Sequence, residues 1–218
     1  MNRDLVWRVV SVIELIVAII VIALDLLIPT LVLLAVCAIT TLARRQGVRS
    51  LGFKRPARPL RMALIVLVLV IGWSVLQLGL IMPVMNHLTG TTQDLSQYED
   101  LKGNVSSLAF LLLASWTLAA LGEEIVYRGY LQARTREMVG RGTIGVAVAV
   151  ILTSVLFGLA HTEQGVIGVT VTTLDAIFFS LLKLKFDDNL WASVLAHGFN
   201  NTIGLTAFFL LGPIYGLW

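Results

Sequence analysis

Charged residues and cysteine are both scarce in this sequence of 218 residues. Charged residues make up 13% of the chain, about half the usual share of a soluble domain. The single cysteine, Cys37, excludes an intrachain disulfide. Hydrophobic residues make up 57% of the chain, and the mean hydropathy is +0.89. A water-soluble fold of this size has too little interior to bury so much apolar surface. The composition therefore predicts a polytopic membrane protein.

Seven apolar runs predict helices that cross a bilayer, whose core takes about 20 residues to span. We predict an all-α fold in which about seven transmembrane helices enclose an intramembrane cavity, as a single integral membrane domain over residues 1–218. The polar stretch 86–104 predicts a loop, and the glycine-rich stretch 140–142 predicts a turn. The predicted spans are Leu5–Leu24, Leu26–Ala43, Leu60–Val84, 105–139, Thr143–Ala160, Val166–Leu184 and Leu190–Leu211.

Basic and acidic residues fall on opposite sides of these spans. The side with most basic residues carries Arg3, Arg8, Arg44, Arg45, Arg49, Lys54, Arg55, Arg58, Arg61, Arg134, Arg136, Arg141, Lys183 and Lys185. The other side carries Asp25, Asp94, Glu99, Asp100 and Glu163, with Lys102. The positive-inside rule then predicts a cytoplasmic N-terminus and an external C-terminus. Such clustering indicates topology in a lipid bilayer, and we expect no nucleic-acid partner.

Two adjacent carboxylates end the apolar part of the fourth span. Glu124 and Arg128 are four residues apart, so they share a helix face and are predicted to form an ion pair. Glu123 lies about 100° around the helix and is left for another role. The structural alternative is that both acids only mark the membrane boundary. Because an ionisable side chain inside a bilayer is costly, we treat Glu123 as a functional candidate.

His161 is predicted to lie level with Glu123. The turn between the fourth and fifth spans is centred near Gly142, and Glu123 and His161 each lie 19 residues from it. In an antiparallel hairpin both residues are then about 28 Å from the turn. A lone histidine at a helix end is more often a packed boundary residue. A carboxylate and an imidazole at one depth are a plausible acid–base pair.

The last span carries a third polar cluster. His197 and Asn201 are four residues apart on one helix face, and both can donate hydrogen bonds. The structural alternative is that they hydrogen-bond between helices. For His197 to reach Glu123 and His161, the fourth helix must project about 15 Å beyond the membrane on the basic side. This geometry predicts a polar cavity open toward the cytoplasmic half.

These three clusters together resemble the CPBP intramembrane protease family, also called the Abi family, which includes the CAAX prenyl endopeptidases. The family pattern E-E-x-x-x-R, F-x-x-x-H and H-x-x-x-N is matched in order. The matching residues are Glu123, Glu124 and Arg128, then Phe157 and His161, then His197 and Asn201. The resemblance covers about residues 105–205, which we take as the protease core.

The resemblance implies a role for each matched residue. By analogy, Glu123 and His161 activate the hydrolytic water, and His197 and Asn201 form the oxyanion hole. Glu124 and Arg128 organise the site. The implied function is an intramembrane endopeptidase, in a bacterial cell membrane, that cleaves a hydrophobic or lipidated peptide or protein.

Zinc remains an alternative, because the family is often labelled a metalloprotease group. Glu123, His161 and His197 are residue types that hold a catalytic zinc. The sequence has no H-E-x-x-H motif, and a metal-independent mechanism suits Asn201 better, so we assign no metal.

Two other functions compete with proteolysis. The first is a non-catalytic membrane protein of the same fold that acts in bacteriocin immunity or partner binding. The second is a transporter with an intramembrane proton relay, although the sequence shows no internal repeat.

Overall fold

The structure is a computed structural model that describes residues 3–26 and 28–213. Over those residues it is all-helical and contains no strand, which confirms the predicted fold class. The predicted positions of the Arg3 side chain and of the C-terminus (residues 214–218) lie outside the described part. The seven long helices are α1 Arg3–Ala23, α2 Pro29–Ala43, α3 Pro59–Thr89, α4 Val105–Val139, α5 Thr143–Leu159, α6 Gly165–Lys185 and α7 Leu190–Leu211.

The outer surface of the bundle is apolar, as expected for contact with lipid. On α3, for example, Leu60, Val68 and Val75 are 71%, 67% and 66% exposed. Exposure on this scale would be unfavourable in water, and a bilayer removes that penalty. Within the described residues, five helices are long and apolar enough to cross a membrane. The other two, α2 and α5, have 15 and 17 residues.

Two helix boundaries differ from the prediction. Helix α2 begins at Pro29, not at Leu26, because proline suits the first helical position, where the missing N–H is not needed. Helix α3 continues through the polar residues after Val84 and ends at Thr89. Gly90 terminates it with a left-handed backbone (φ +68°) that favours glycine. Local backbone geometry, not side-chain polarity, therefore sets this helix end.

Helices α5 and α6 pack closely and bring the end of α5 toward the centre of the bundle. A Cβ atom on Gly158 would collide with the Thr173 hydroxyl and the Val169 carbonyl oxygen of α6. Small residues allow this close approach between membrane helices. The contact fixes where α5 ends, and therefore where His161 lies.

The basic segment between α2 and α3 is folded against the bundle. It forms a short 3₁₀ helix, Val48–Leu51, and the Leu190 N–H donates to the Gly52 carbonyl at 2.9 Å. Gly129 of α4 allows the contact, because a Cβ there would be 3.1 Å from the Leu51 carbonyl oxygen. This basic loop therefore bridges α4 and the start of α7.

A buried charge network joins α1, α2 and α4 on the same side. Glu14 lies 3.1 Å from Arg44 and 3.6 Å from Arg134. Glu137 lies 2.9 Å from Arg44 and 2.8 Å from Arg134. Two acids and two bases therefore neutralise one another here, as buried charges require. The network holds the first two helices against α4.

Candidate active site

Helix α4 widens where it carries the paired glutamates. The segments Ser115–Glu123 and Ile125–Leu131 are π-helical. Such turns are rare and occur mostly at functional sites. They change the angular spacing of side chains along the helix, so the sequence pattern for an α-helix does not fix where Glu123 points. In the structure its side chain is 18% exposed and lines an internal cavity.

Glu124 contacts two other motif residues. Its side chain is fully buried, and Oε1 lies 3.0 Å from Arg128 Nη1, which is the predicted ion pair. The same oxygen accepts a 3.0 Å hydrogen bond from His197 Nδ1. The second contact joins α4 to α7, and the four-residue spacing alone did not predict it. Glu124 thus fixes the orientation of the His197 ring.

Aromatic rings enclose the Arg128 guanidinium. Its carbon lies 4.4 Å from the centre of the Phe157 ring and 5.7 Å from that of Phe179. Phe157 also meets the His197 ring edge to face at 5.8 Å, and Phe179 stacks on His197 at 5.2 Å. These cation–π and ring contacts stabilise a buried charge. The phenylalanine of the F-x-x-x-H motif therefore packs against both other motifs.

His161 is oriented by the end of its own helix. Its Nδ1 is 2.8 Å from the carbonyl oxygen of Phe157. A carbonyl only accepts, so Nδ1 carries the hydrogen and the neutral ring presents a lone pair at Nε2. The carbonyl is one of the acceptors that a helix end leaves unpaired. The four-residue spacing of the motif thus sets the tautomer of the imidazole.

The four predicted catalytic residues line one cavity of about 500 Å³: Glu123, His161, His197 and Asn201. Glu123 Oε2 lies 3.9 Å from His197 Nε2. Asn200, the neighbour of Asn201, lines the same cavity, and its Oδ1 lies 3.5 Å from the Ser74 hydroxyl of α3. The structure therefore brings together side chains from four helices, with α3 contributing a wall that the motifs do not include.

The cavity extends toward the side opposite to the predicted one. Its lining includes Gln93, Gln97 and Tyr98, which follow α3, and Glu163, which follows α5. All of these belong to the side that carries the acidic loops, and no residue of the basic loop lines the cavity. The prediction of a cavity open toward the basic side is wrong. That prediction assumed that α4 rises as a regular α-helix and that every helix ends at the membrane surface.

Asp175 is a further acidic residue of the cavity and is not part of the three motifs. It lies on α6, is 7% exposed, and its Oδ1 accepts hydrogen bonds from Trp73 Nε1 at 2.6 Å and Gln77 Nε2 at 2.8 Å. Both donors are on α3, where Gln77 begins the π-helical segment Gln77–Ile81. An acid in the middle of an apolar span is the sequence signal by which this residue can be recognised as a functional candidate. These two hydrogen bonds hold α3 against α6.

The arrangement does not fit the zinc alternative. Among the residues that the structure describes, no three His, Cys, Asp or Glu side chains are placed to share a metal ion. We therefore derive no chemical step through a metal.

The fold and the site define an integral membrane protein whose polar cavity lies inside an apolar helix bundle. Residues 105–203 match the family model described as Rce1-like, type II CAAX prenyl endopeptidase. This match confirms the family resemblance seen in the three motifs. Comparison with curated proteins and with solved structures gave no match.

Proposed function

We propose that this protein is an intramembrane endopeptidase that uses Glu123, His161, His197 and Asn201. The main support is that these side chains, from three separate motifs, line one cavity inside the bundle. The matched family supports a peptidase. The shared cavity and the tautomer of His161 support the steps that follow.

Glu123 and His161 are proposed to activate the water. The Glu123 carboxylate accepts a proton as the water oxygen bonds to the scissile carbonyl carbon. The Nε2 lone pair of His161 accepts a hydrogen bond from the other O–H of the water and orients the attack, since Nδ1 is held by Phe157. That hydrogen stays on the oxygen that joins the carbonyl carbon. When the C–N bond breaks, the Glu123 carboxylic acid returns the proton to the leaving amine. General base catalysis of this kind contributes about 10²–10⁴ in rate.

His197 and Asn201 are proposed to stabilise the oxyanion. Asn201 donates from its amide nitrogen. Since His197 Nδ1–H is held by Glu124, its Nε2 can donate only when both ring nitrogens carry hydrogen. Glu124 lies 3.0 Å from Nδ1 of the ring, and Glu123 lies 3.9 Å from Nε2. One such donor is worth about 10²–10³ in rate.

The substrate is proposed to be a hydrophobic or lipidated peptide or protein. Apolar side chains line much of the cavity between the reactive groups and the rim, including Leu111, Leu118 and Phe208. If the basic side is cytoplasmic, as the charge distribution predicts, the cavity is reached from the external half of the membrane.

The test uses purified protein in liposomes and a set of internally quenched hydrophobic peptides, with one farnesylated peptide ending in a CAAX sequence. We expect Glu123→Gln and His161→Ala to lose about 10²–10⁴ in cleavage rate, while Glu99→Gln, an exposed change of the same type, retains full activity. Each variant must keep the wild-type unfolding temperature.

Three outcomes would each contradict part of the proposal. Cleavage by Glu123→Gln at the wild-type rate would remove Glu123 from the site. A Glu123→Gln variant that preserves the cellular phenotype of the wild type would instead favour the non-catalytic immunity or partner-binding function. Loss of wild-type cleavage after exhaustive chelation, restored by zinc, would overturn the metal-independent chemistry.

A further inference from the structure

A second cavity, of about 380 Å³, lies at the opposite end of the bundle from the candidate active site. We call it the basic cavity. It is enclosed by the basic loop, the end of α4 and the loop between α6 and α7. Its acidic lining residues are Glu137 and Asp188. Its basic lining residues are Arg49, Lys54, Arg134, Arg136, Arg141 and Lys183.

The two acids are already paired with other residues of the lining. Glu137 lies 2.8 Å from Arg134, and Asp188 lies 2.8 Å from both Arg136 and Lys183. These pairs leave Arg49, Arg141 and Lys54 without a carboxylate. In the described part of the chain, Arg49 and Arg141 form no ion pair. The cavity therefore holds a local excess of positive charge.

Lys183 places a charge that is paired with Asp188 in the interior. Its side chain is 4% exposed, and its ammonium group donates to the Arg128 carbonyl at 2.9 Å and to Gln132 Oε1 at 3.3 Å. A buried ammonium is unfavourable unless anions or hydrogen-bond acceptors surround it. The only carboxylate paired with it in the described residues is Asp188, which is itself 38% exposed. These three acceptors match the three ammonium hydrogens of Lys183. The unpaired positive charge of the cavity therefore lies on Arg49, Arg141 and Lys54.

Exposed apolar residues border the basic cavity. Val48 precedes Arg49 and is 66% exposed, while Val139 and Ile144 flank Arg141 and are 48% and 77% exposed. Each lies in the short 3₁₀ helix or at a helix end. Adjacent basic and apolar surfaces match an amphipathic anion better than a free ion.

We propose that the basic cavity binds a phosphate group, carried by the headgroup of an anionic phospholipid. Arg49 and Arg141 pair with the phosphate oxygens, in the cavity that the paired Lys183 and Asp188 also line. Arginine pairs with phosphate through its planar donors, and basic pockets between membrane helices bind lipid headgroups in this way. This site is separate from the proposed peptidase chemistry and does not depend on it.

The test measures binding to detergent-purified full-length protein by native mass spectrometry. The probes are short-chain phosphatidylglycerol, phosphatidylcholine of the same chain length, and inorganic phosphate. Arg49→Gln/Arg141→Gln removes two lining charges. Arg55→Gln/Arg61→Gln is the matched control, since it removes two exposed charges nearby that do not line the cavity. We expect phosphatidylglycerol to bind wild type and control alike, and the lining variant at least about tenfold more weakly.

The probes also distinguish the source of the phosphate. Tighter binding of phosphatidylglycerol than of phosphatidylcholine and inorganic phosphate supports a lipid headgroup. Inorganic phosphate that binds as tightly as the lipid, with the same loss in the lining variant, keeps the phosphate site and replaces the lipid by a free ion. Equal weakening in both variants, or no binding of either phosphate-bearing anion, overturns the proposal.

Discussion

A single glycine allows α7 to pack at the depth of the candidate active site. Gly198 follows His197, and a Cβ atom there would overlap the six-membered ring of Trp116 on α4. The Trp116 indole N–H donates to the Thr202 hydroxyl one turn further along α7, at 3.1 Å. Trp116 also meets Phe199 edge to face at 5.6 Å. These two contacts hold the Trp116 ring in place against α7.

We predict that Gly198→Ala destabilises the protein by about 1–3 kcal/mol, because overpacking forces the ring or the helix to shift. Thermal unfolding in detergent measures the change. Gly204→Ala is the matched control on the same helix, where a Cβ atom meets nothing within 4 Å. Equal unfolding temperatures for the two variants would show that Trp116 does not constrain α7.

Motif spacing at the residue scale predicted some contacts and missed others. The ion pair between Glu124 and Arg128 follows from helical periodicity, because both residues lie on one helix. The hydrogen bond from His197 to Glu124, and those from Trp73 and Gln77 to Asp175, join different helices. Spacing along a chain carries no information about the rotation of one helix relative to another.

At the scale of elements, the loop between α6 and α7 is strained and charged. Asp187 and Asp188 both have φ of +59°, a left-handed conformation that is unfavourable for residues other than glycine. The Lys54 ammonium donates to the Asp187 carbonyl, and Asn189 donates to the Lys54 carbonyl at 3.1 Å. The Asp188 carboxylate pairs with Lys183. Tertiary contacts therefore hold a backbone conformation that the loop alone would not prefer.

Asp188 is predicted to make the protein sensitive to acid. Burial raises the pKa of this carboxyl, but the Lys183 ammonium and the Arg136 guanidinium outweigh burial and hold the pKa below its ordinary value. The carboxylate therefore stabilises the fold above its ordinary pKa, and the stabilisation is lost as pH falls through the lowered value.

The corresponding measurement is the unfolding temperature of wild type, Asp188→Asn and Asp187→Asn between pH 7 and about pH 3, a range that covers the ordinary aspartate pKa. We expect acidification to lower the unfolding temperature of wild type and Asp187→Asn more than that of Asp188→Asn. Parallel pH curves for all three proteins would rule out this contribution of Asp188.

The whole molecule has two chemically different ends. The basic cavity and the charge network of Glu14, Arg44, Arg134 and Glu137 lie at one end, and the candidate active site extends toward the other. The charge distribution predicts that the basic end is cytoplasmic. The orientation then decides from which side a substrate reaches the site.

We predict that Ser96→Cys is labelled from outside intact cells by a membrane-impermeant maleimide, whereas Ser50→Cys is labelled only after permeabilisation. Both serines are exposed, and they lie in loops on opposite sides of the bundle. A Cys37→Ser background removes the only native cysteine. Labelling of Ser50→Cys alone in intact cells would reverse the proposed topology.

The sequence by itself determined the membrane class, the number of long helices, the paired carboxylates and the family resemblance, since each depends on composition or on spacing within segments. Only the tertiary structure decided which end of the bundle holds the cavity, that Glu124 orients His197, and that the basic loop encloses a second cavity. These features depend on how helices rotate, where π-helical turns change side-chain directions, and where glycines such as Gly129 and Gly158 let backbones approach. Such contacts join residues far apart in the chain, and local periodicity does not specify them.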